Sequence, residues 1–205
     1  MTSQIPEPLV QGLIEAGREF ARRGWVPATA GNFSARVDEK TLAITVSGRH
    51  KGELRPEDVM LADLHGVSLT EGKRSSAETG LHTQLYRRDP HIGAVLHVHS
   101  ANATVLSRIY KGALRLRDYE VLKAFPGVDT HEACVDVPIF PNDQDIERLA
   151  ARIDAYMDAH GPLIAYMIEG HGCYTWGRTL ADARRHVEAL EFLLECEVLM
   201  KRMGA

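Results

Sequence analysis

The sequence predicts an α/β fold, a three-layer αβα sandwich built on a central, mostly antiparallel sheet. Three observations predict it. Stretches with apolar residues at helical spacing stand at both ends of the chain and recur between them. Short apolar runs of strand length, bounded by Gly, Pro and Asp, fill the intervals. Consecutive runs are joined by brief turns, as in NFSARV-DEK-TLAITVSG, and a brief turn joins antiparallel rather than parallel neighbours.

The elements follow in chain order. PEPLVQGLIEAGREFARRGW carries Leu9, Leu13, Ala16 and Phe20 at helical spacing, with proline at its start and Gly24 at its end. RPEDVMLADLHG reads as a turn and a strand. SAETGLHTQLYRRDP reads as a helix stopped before Pro90, HIGAVLHVHS as a strand and ANATVLSRIY as a helix. The stretch from Lys111 to Pro141 reads as irregular, with a strand near Ala133–Ile139. DQDIERLAARIDAYMDAHGP is amphipathic, with Ile146, Leu149, Ile153 and Met157 on one face and a Gly-Pro stop. LIAYMIEGHGCYTWG gives strand, turn, strand. A long helix then begins at the N-cap Thr179, with a stripe through Leu180, Ala183, Val187, Leu190, Leu194 and Val198. With no repeat and no linker in view, residues 1–205 read as a single domain.

Composition narrows the function. A length of 205 residues suffices to bury a sizeable core without disulfide staples. A formal charge of −4 argues against a nucleic-acid or anionic-membrane surface, which needs a basic excess. The three cysteines, Cys134, Cys173 and Cys196, are scattered and form no CxxC pair, as expected of a reducing compartment. With neither a leader-like N-terminus nor an apolar run long enough to span a bilayer, the expected location is the cytoplasm.

Three constellations carry chemistry. In AVLHVHSANATVL, His97 and His99 stand at i and i+2 of a strand, so both project from one face while Val98 packs on the other. The pair either closes on one metal ion or forms a polar sheet margin. His171, in the glycine-flanked turn GHG, is one candidate for a third ligand, and three histidines with an open position make a catalytic site for zinc or a similar ion. Second, TAGNFS, VSG and RSSAE are rich in glycine and hydroxyls. They read singly as turns and caps, and together as segments that can surround a phosphate. Third come two acid–base candidates: Glu78, at i and i+4 with His82, and Glu120, three residues before Lys123.

The ordered set TAGNFS, VSG, SAETGLH, AVLHVHS and GHGCYTWG resembles the class II aldolase family across nearly the whole chain. That resemblance implies roles that spacing does not. His97, His99 and His171 match the histidines of one zinc per subunit. Gly31, Asn32, Ser47, Gly48 and Ser76 fall on the sugar-phosphate pocket, with Lys123 as a further phosphate contact. The chain reads Ser76-Ala77-Glu78 where the aldolases read Ser-Ser-acid, so one hydroxyl is missing or supplied by Ser75. Glu78 matches the family's acidic residue that ligates zinc or moves protons. SAETGLHTQLY, YEVLKAF and HGCYTWGRTLADARRHVEALEFL look most like the family's dehydrating branch, in which Glu120 matches the acid/base. The implied activity is therefore elimination of water from a phosphorylated ketose, with no nucleic-acid or membrane partner. The alternatives are an aldolase or 4-epimerase acting on a fuculose or ribulose phosphate, and a non-catalytic module like the adducin head. The resemblance implies a homotetramer with sites between subunits, in which Glu120 and Lys123 serve either a neighbour's zinc or their own. An apolar pocket for the substrate's far end would draw on Met60, Tyr119 or Phe125, side chains that equally suit core packing.

Overall fold

The computed structural model describes residues 4–204. The expected layers are present. Helix α1 (Glu7–Arg22) leads into strands β1 (Asn32–Arg36), β2 (Thr41–Thr45) and β3 (Val59–Asp63), then helix α2 (Thr79–Arg88) and strand β4 (Ala94–Val98). Helix α3 (Ala101–Ile109), strands β5 (Ala113–Arg117) and β6 (Cys134–Phe140), helix α4 (Ile146–His160), strands β7 (Ala165–Ile168) and β8 (Gly172–Gly177) and helix α5 (Leu180–Met203) complete it. The strands form one eight-stranded sheet in the order β3-β2-β1-β4-β8-β7-β6-β5. Every pairing is antiparallel except β6 with β7, which is parallel.

Strand alternation splits the core in two. Phe33, Leu96, Val98 and Met167 face the side covered by α1, α3 and α5, where Leu13, Phe20, Leu106, Leu190 and Leu194 pack against them. Leu42, Ile44, Val95, Tyr166 and Tyr174 face α2 and α4, and meet Leu81, Leu85, Leu149 and Ile153. Each large aliphatic side chain so buried contributes about 1.5–3 kcal/mol. The N-cap Thr179 accepts a hydrogen bond from the Asp182 amide at 3.0 Å, and Gly161 ends α4 at φ 88°.

The stretch after Lys111 departs from expectation. β5 is a regular edge strand paired with β6, and Glu120–Ala124 form a short 3-10 turn. Its sequence ALRLR alternates as a half-covered strand should, with Leu114 and Leu116 buried and Arg115 and Arg117 exposed. Arginine at alternate positions is compatible with a solvated loop as well as with an edge strand. Arg115 instead pairs across the hairpin with Asp136 at 2.8 Å.

Around the β7–β8 turn the backbones pass very close. A Cβ on Gly172 would lie 2.1 Å from the Val98 carbonyl oxygen and 3.1 Å from the His99 Cα, so only glycine allows the two strand ends to meet. Gly172→Ala is expected to lower stability by about 1–3 kcal/mol, the range of an over-packed site, as read from urea unfolding.

Candidate metal centre

The alternation that buries Val98 under α1 and α5 turns His97 to the opposite face, beside Tyr174, its partner across β4 and β8. The His97 ring stacks on the Tyr174 ring at 4.0 Å between centroids and 12° between planes. Its Nδ1 lies 2.9 Å from the Cys173 carbonyl oxygen, which can only accept. Nδ1 therefore carries the proton, and Nε2 of the neutral ring is a bare lone pair. His99 lies one residue beyond the end of β4, where its backbone N–H bonds the Trp25 carbonyl at 2.8 Å. His171 occupies the tight β7–β8 turn. Gly170 there adopts φ 65°, its N–H bonds Ser107 Oγ at 3.0 Å, and Thr104 Oγ1 donates to the His171 carbonyl at 3.1 Å. Helix α3 thus pins the turn that presents the third imidazole.

These elements bring the side chains of His97, His99, His171 and Glu78 to one point, with one ligand atom from each within 4.8 Å of the others. His97 Nε2 lies 3.3 Å from His171 Nε2, and Glu78 carboxylate oxygens lie 2.9 Å from His171 Nε2 and 3.6 Å from His97 Nε2. His99 Nε2 is buried with no hydrogen-bond partner among the described residues. Converging lone pairs, an orphaned imidazole nitrogen and a carboxylate make a poor hydrogen-bond network. They form a donor set that suits a divalent cation. Burial holds His97 well below the usual histidine range, and burial together with neighbouring His171 holds His99 at about 4, so both are neutral and ready to ligate at neutral pH. Burial raises the Glu78 carboxyl, but His171, His97 and Asn32 outweigh that and keep it well below the ordinary carboxylate value.

Glu78 is not on α2 but caps its start, and its backbone N–H bonds Ser76 Oγ at 3.2 Å. Behind it runs a buried relay whose direction the chemistry fixes. Asn32 Nδ2 donates to Glu78 Oε2 at 2.7 Å, leaving Asn32 Oδ1 to accept from His82 Nε2 at 2.5 Å. Burial lowers His82 to about 3, so the ring is neutral and its Nδ1 must accept, which it does from Ser34 Oγ at 2.7 Å. Ser34 in turn lies 2.9 Å from the Tyr86 hydroxyl. Asn32 and Ser34 alternate on one face of β1, and His82 and Tyr86 sit one helical turn apart on α2, so two periodicities meet in register.

Five of the six residues expected at the phosphate, Gly31, Asn32, Ser47, Gly48 and Ser76 but not Lys123, line one cavity of about 110 Å³ together with Glu78 and His99, so it opens beside the candidate metal cluster. Ser75 is not in its lining; it borders the neighbouring cleft of about 1090 Å³. The cavity adds Lys51, which the sequence reading missed because a lysine in a turn looks solvated. Glu120 and Lys123 lie elsewhere: they pair with each other at 2.6 Å on the surface, where Glu120 is 71% exposed. Met60 and Phe125 are buried in the two cores, and Tyr119 Oη donates to Glu197 at 2.9 Å. Cys173 is buried, its Sγ 3.7 Å from the Glu191 carboxylate. No helix among the described residues is long and apolar enough to cross a membrane.

Comparison with known proteins agrees with this architecture. The model of the class II aldolase and adducin N-terminal domain family matches residues 11–198. A methylthioribulose-1-phosphate dehydratase of Methylococcus capsulatus is 60% identical over 188 residues, 92% of each chain. A protein of the same name from Pseudomonas aeruginosa is 58% identical over 193 residues, 94% of each. Among solved structures, the L-fuculose-1-phosphate aldolase of Thermus thermophilus superposes with a TM-score of 0.77 at 28% identity, covering 97% of this chain and 98% of that one.

Two outcomes follow from the geometry. His99→Ala should leave the fold intact and weaken divalent-metal binding by more than the roughly 10–100-fold typical of losing an outer partner, as read by equilibrium dialysis. The relay predicts an acid sensitivity in the metal-free protein. Unfolded His82 titrates near 6.5 and folded His82 at about 3, so below pH 6.5 only the unfolded chain takes up that proton. Stability therefore falls as pH drops from 6.5 towards 3, and His82→Gln should remove up to about 1.4 kcal/mol per pH unit of that slope in urea titrations.

Proposed function

The chain belongs to the class II aldolase and adducin N-terminal domain family, and on that premise we propose that it is a zinc-dependent lyase, with one zinc per subunit, that eliminates water from 5-methylthioribulose 1-phosphate. The product is 2,3-diketo-5-methylthiopentyl 1-phosphate, a step of methionine salvage. The observation that carries this reading is the juxtaposition of a three-histidine, one-carboxylate cluster with an anion-shaped pocket, in a chain 60% identical to a dehydratase of that name.

His97, His99 and His171 would hold the metal, with Glu78 as a fourth oxygen donor. Bound there, a divalent ion supplies Lewis-acid charge that polarises a ketone and acidifies the adjacent C–H. The chain does the rest. Gly31, Asn32, Ser47, Gly48 and Ser76 line the cavity that takes the phosphate, which fixes C3 and C4 of the sugar over the cluster. A carboxylate then removes the C3 proton and returns it to the C4 hydroxyl, which departs as water. The resulting enol loses its hydroxyl proton and gains one at C4 to give the 2,3-diketone. We assign that proton transfer to Glu120, a general acid–base step of about 10²–10⁴-fold. Glu120 and Lys123 stand on the surface, outside both the cluster and the cavity; in the homotetramer we propose, with active sites at subunit boundaries, they serve a neighbouring subunit's site. Glu78 takes the role if Glu120 does not.

The likeness to a fuculose phosphate aldolase keeps carbon–carbon cleavage as the second reading, since the same metal chemistry serves it. A non-catalytic adducin-like module has no use for four converging ligands, and their presence counts against it.

A proton NMR time course with 5-methylthioribulose 1-phosphate tests the assignment. Loss of the C3 and C4 protons with a new methylene signal is expected; release of a methylthio aldehyde would make the protein an aldolase. Glu120→Gln should retain metal and lose about 10²-fold or more in kcat. Near-normal turnover in that variant would transfer the acid–base role to Glu78.

A further inference from the structure

One buried cation faces the cavity beside the metal cluster. Lys51 is 2% exposed, and its Nζ donates to the Thr29 carbonyl at 2.9 Å and the Arg49 carbonyl at 2.7 Å. An ammonium has three N–H donors and these carbonyls take two. The side chain lines the cavity with Gly31, Asn32, Ser47, Gly48 and Ser76, and it is the only Lys or Arg in that lining. Neutral carbonyls do not cancel a buried charge. Burial accordingly pushes the ammonium down to about 8, with Glu78 opposing the shift.

The backbone beneath Lys51 is held firmly. A Cβ on Gly17 of α1 would lie 2.2 Å from the Lys51 carbonyl oxygen, so the helix sits directly on this turn. The His50 ring accepts from the Gly52 amide at 3.2 Å and caps it. A buried cation hydrogen-bonded only to neutral carbonyls, with the Glu78 carboxylate acting on it across the cavity, leaves a donor for a small, highly charged anion in about 110 Å³, a volume too small for a whole sugar.

We propose that Lys51 is the charged anchor of this cavity, its ammonium binding the phosphoryl group of the ligand while Gly31, Ser47, Gly48 and Ser76 take the remaining oxygens. The inference rests on the phosphate pocket described above and adds the residue that gives it selectivity for a dianion. The competing role is a purely structural tie between the loops that carry Thr29 and Arg49.

Inorganic phosphate is the probe. Titrated into the metal-loaded protein, it should raise Tm saturably, and Lys51→Met should bind it about ten- to hundredfold more weakly, the range a charge-assisted hydrogen bond carries. Lys51→Arg should recover part of the affinity. In steady state, Lys51→Met should raise KM for the phosphorylated sugar more than it lowers kcat, and narrow the preference over the unphosphorylated 5-methylthioribulose. A structural tie would instead lower Tm and turnover of both sugars alike, leaving phosphate affinity and the preference unchanged, and would overturn the proposal. If Lys51→Met does not fold, lysine ¹⁵Nζ NMR of the wild type decides: a buried ammonium signal that shifts with phosphate supports the anchor, and one that ignores saturating phosphate refutes it. Lys51-dependent phosphate binding without any dehydration would uphold the anchor and reject the substrate.

Discussion

The hydrogen bond from His97 Nδ1 to the Cys173 carbonyl is the constraint on which the site depends. It spans β4 and β8 at the register that also stacks His97 on Tyr174, so sheet pairing, ring orientation and tautomer are set by one contact. With Nδ1 committed, Nε2 points as a lone pair towards His99, His171 and Glu78. The close approach of Gly172 to Val98 and the α3 contacts around Gly170 hold the third imidazole against that point. In this candidate metal centre strand register places His97, while the end of β4, the β7–β8 turn and the start of α2 present His99, His171 and Glu78 to it.

The second layer of control lies under α2. Asn32 lines the cavity, yet both ends of its carboxamide are taken by Glu78 and His82. It therefore acts on the site chiefly by orienting Glu78. The chain Tyr86–Ser34–His82–Asn32–Glu78 has one consistent set of proton positions, and it holds because His82 is kept neutral by burial. A fully satisfied buried network of this kind rigidifies what it touches.

Much of this was legible in the sequence, for identifiable reasons. Helices α1, α4 and α5 announced themselves because their apolar spacing is regular and their ends carry Pro6, Gly161 and Thr179. The H-x-H pair was visible because strand period alone sets both rings on one face. His171, by contrast, could be singled out only through the family resemblance, since its proximity is created by the pairing of β8 with β4. Strand β5 escaped notice because its outward positions are arginines, although the leucine alternation was there to read. Lys51 and the His82 relay escaped because burial of a polar side chain is a tertiary fact: nothing local distinguishes Lys51 from the solvated lysines around it.

The proposed binding of one divalent ion by three converging imidazoles and a carboxylate is open to direct measurement. Zinc-edge X-ray absorption on the metal-loaded protein tests it most directly. The structure predicts a shell of nitrogen and oxygen scatterers at about 2.0–2.2 Å with the multiple-scattering signature of histidine rings and no sulfur. A sulfur shell near 2.3 Å, placing a cysteine such as Cys173 on the ion, or a metal site without imidazole scattering, would contradict it.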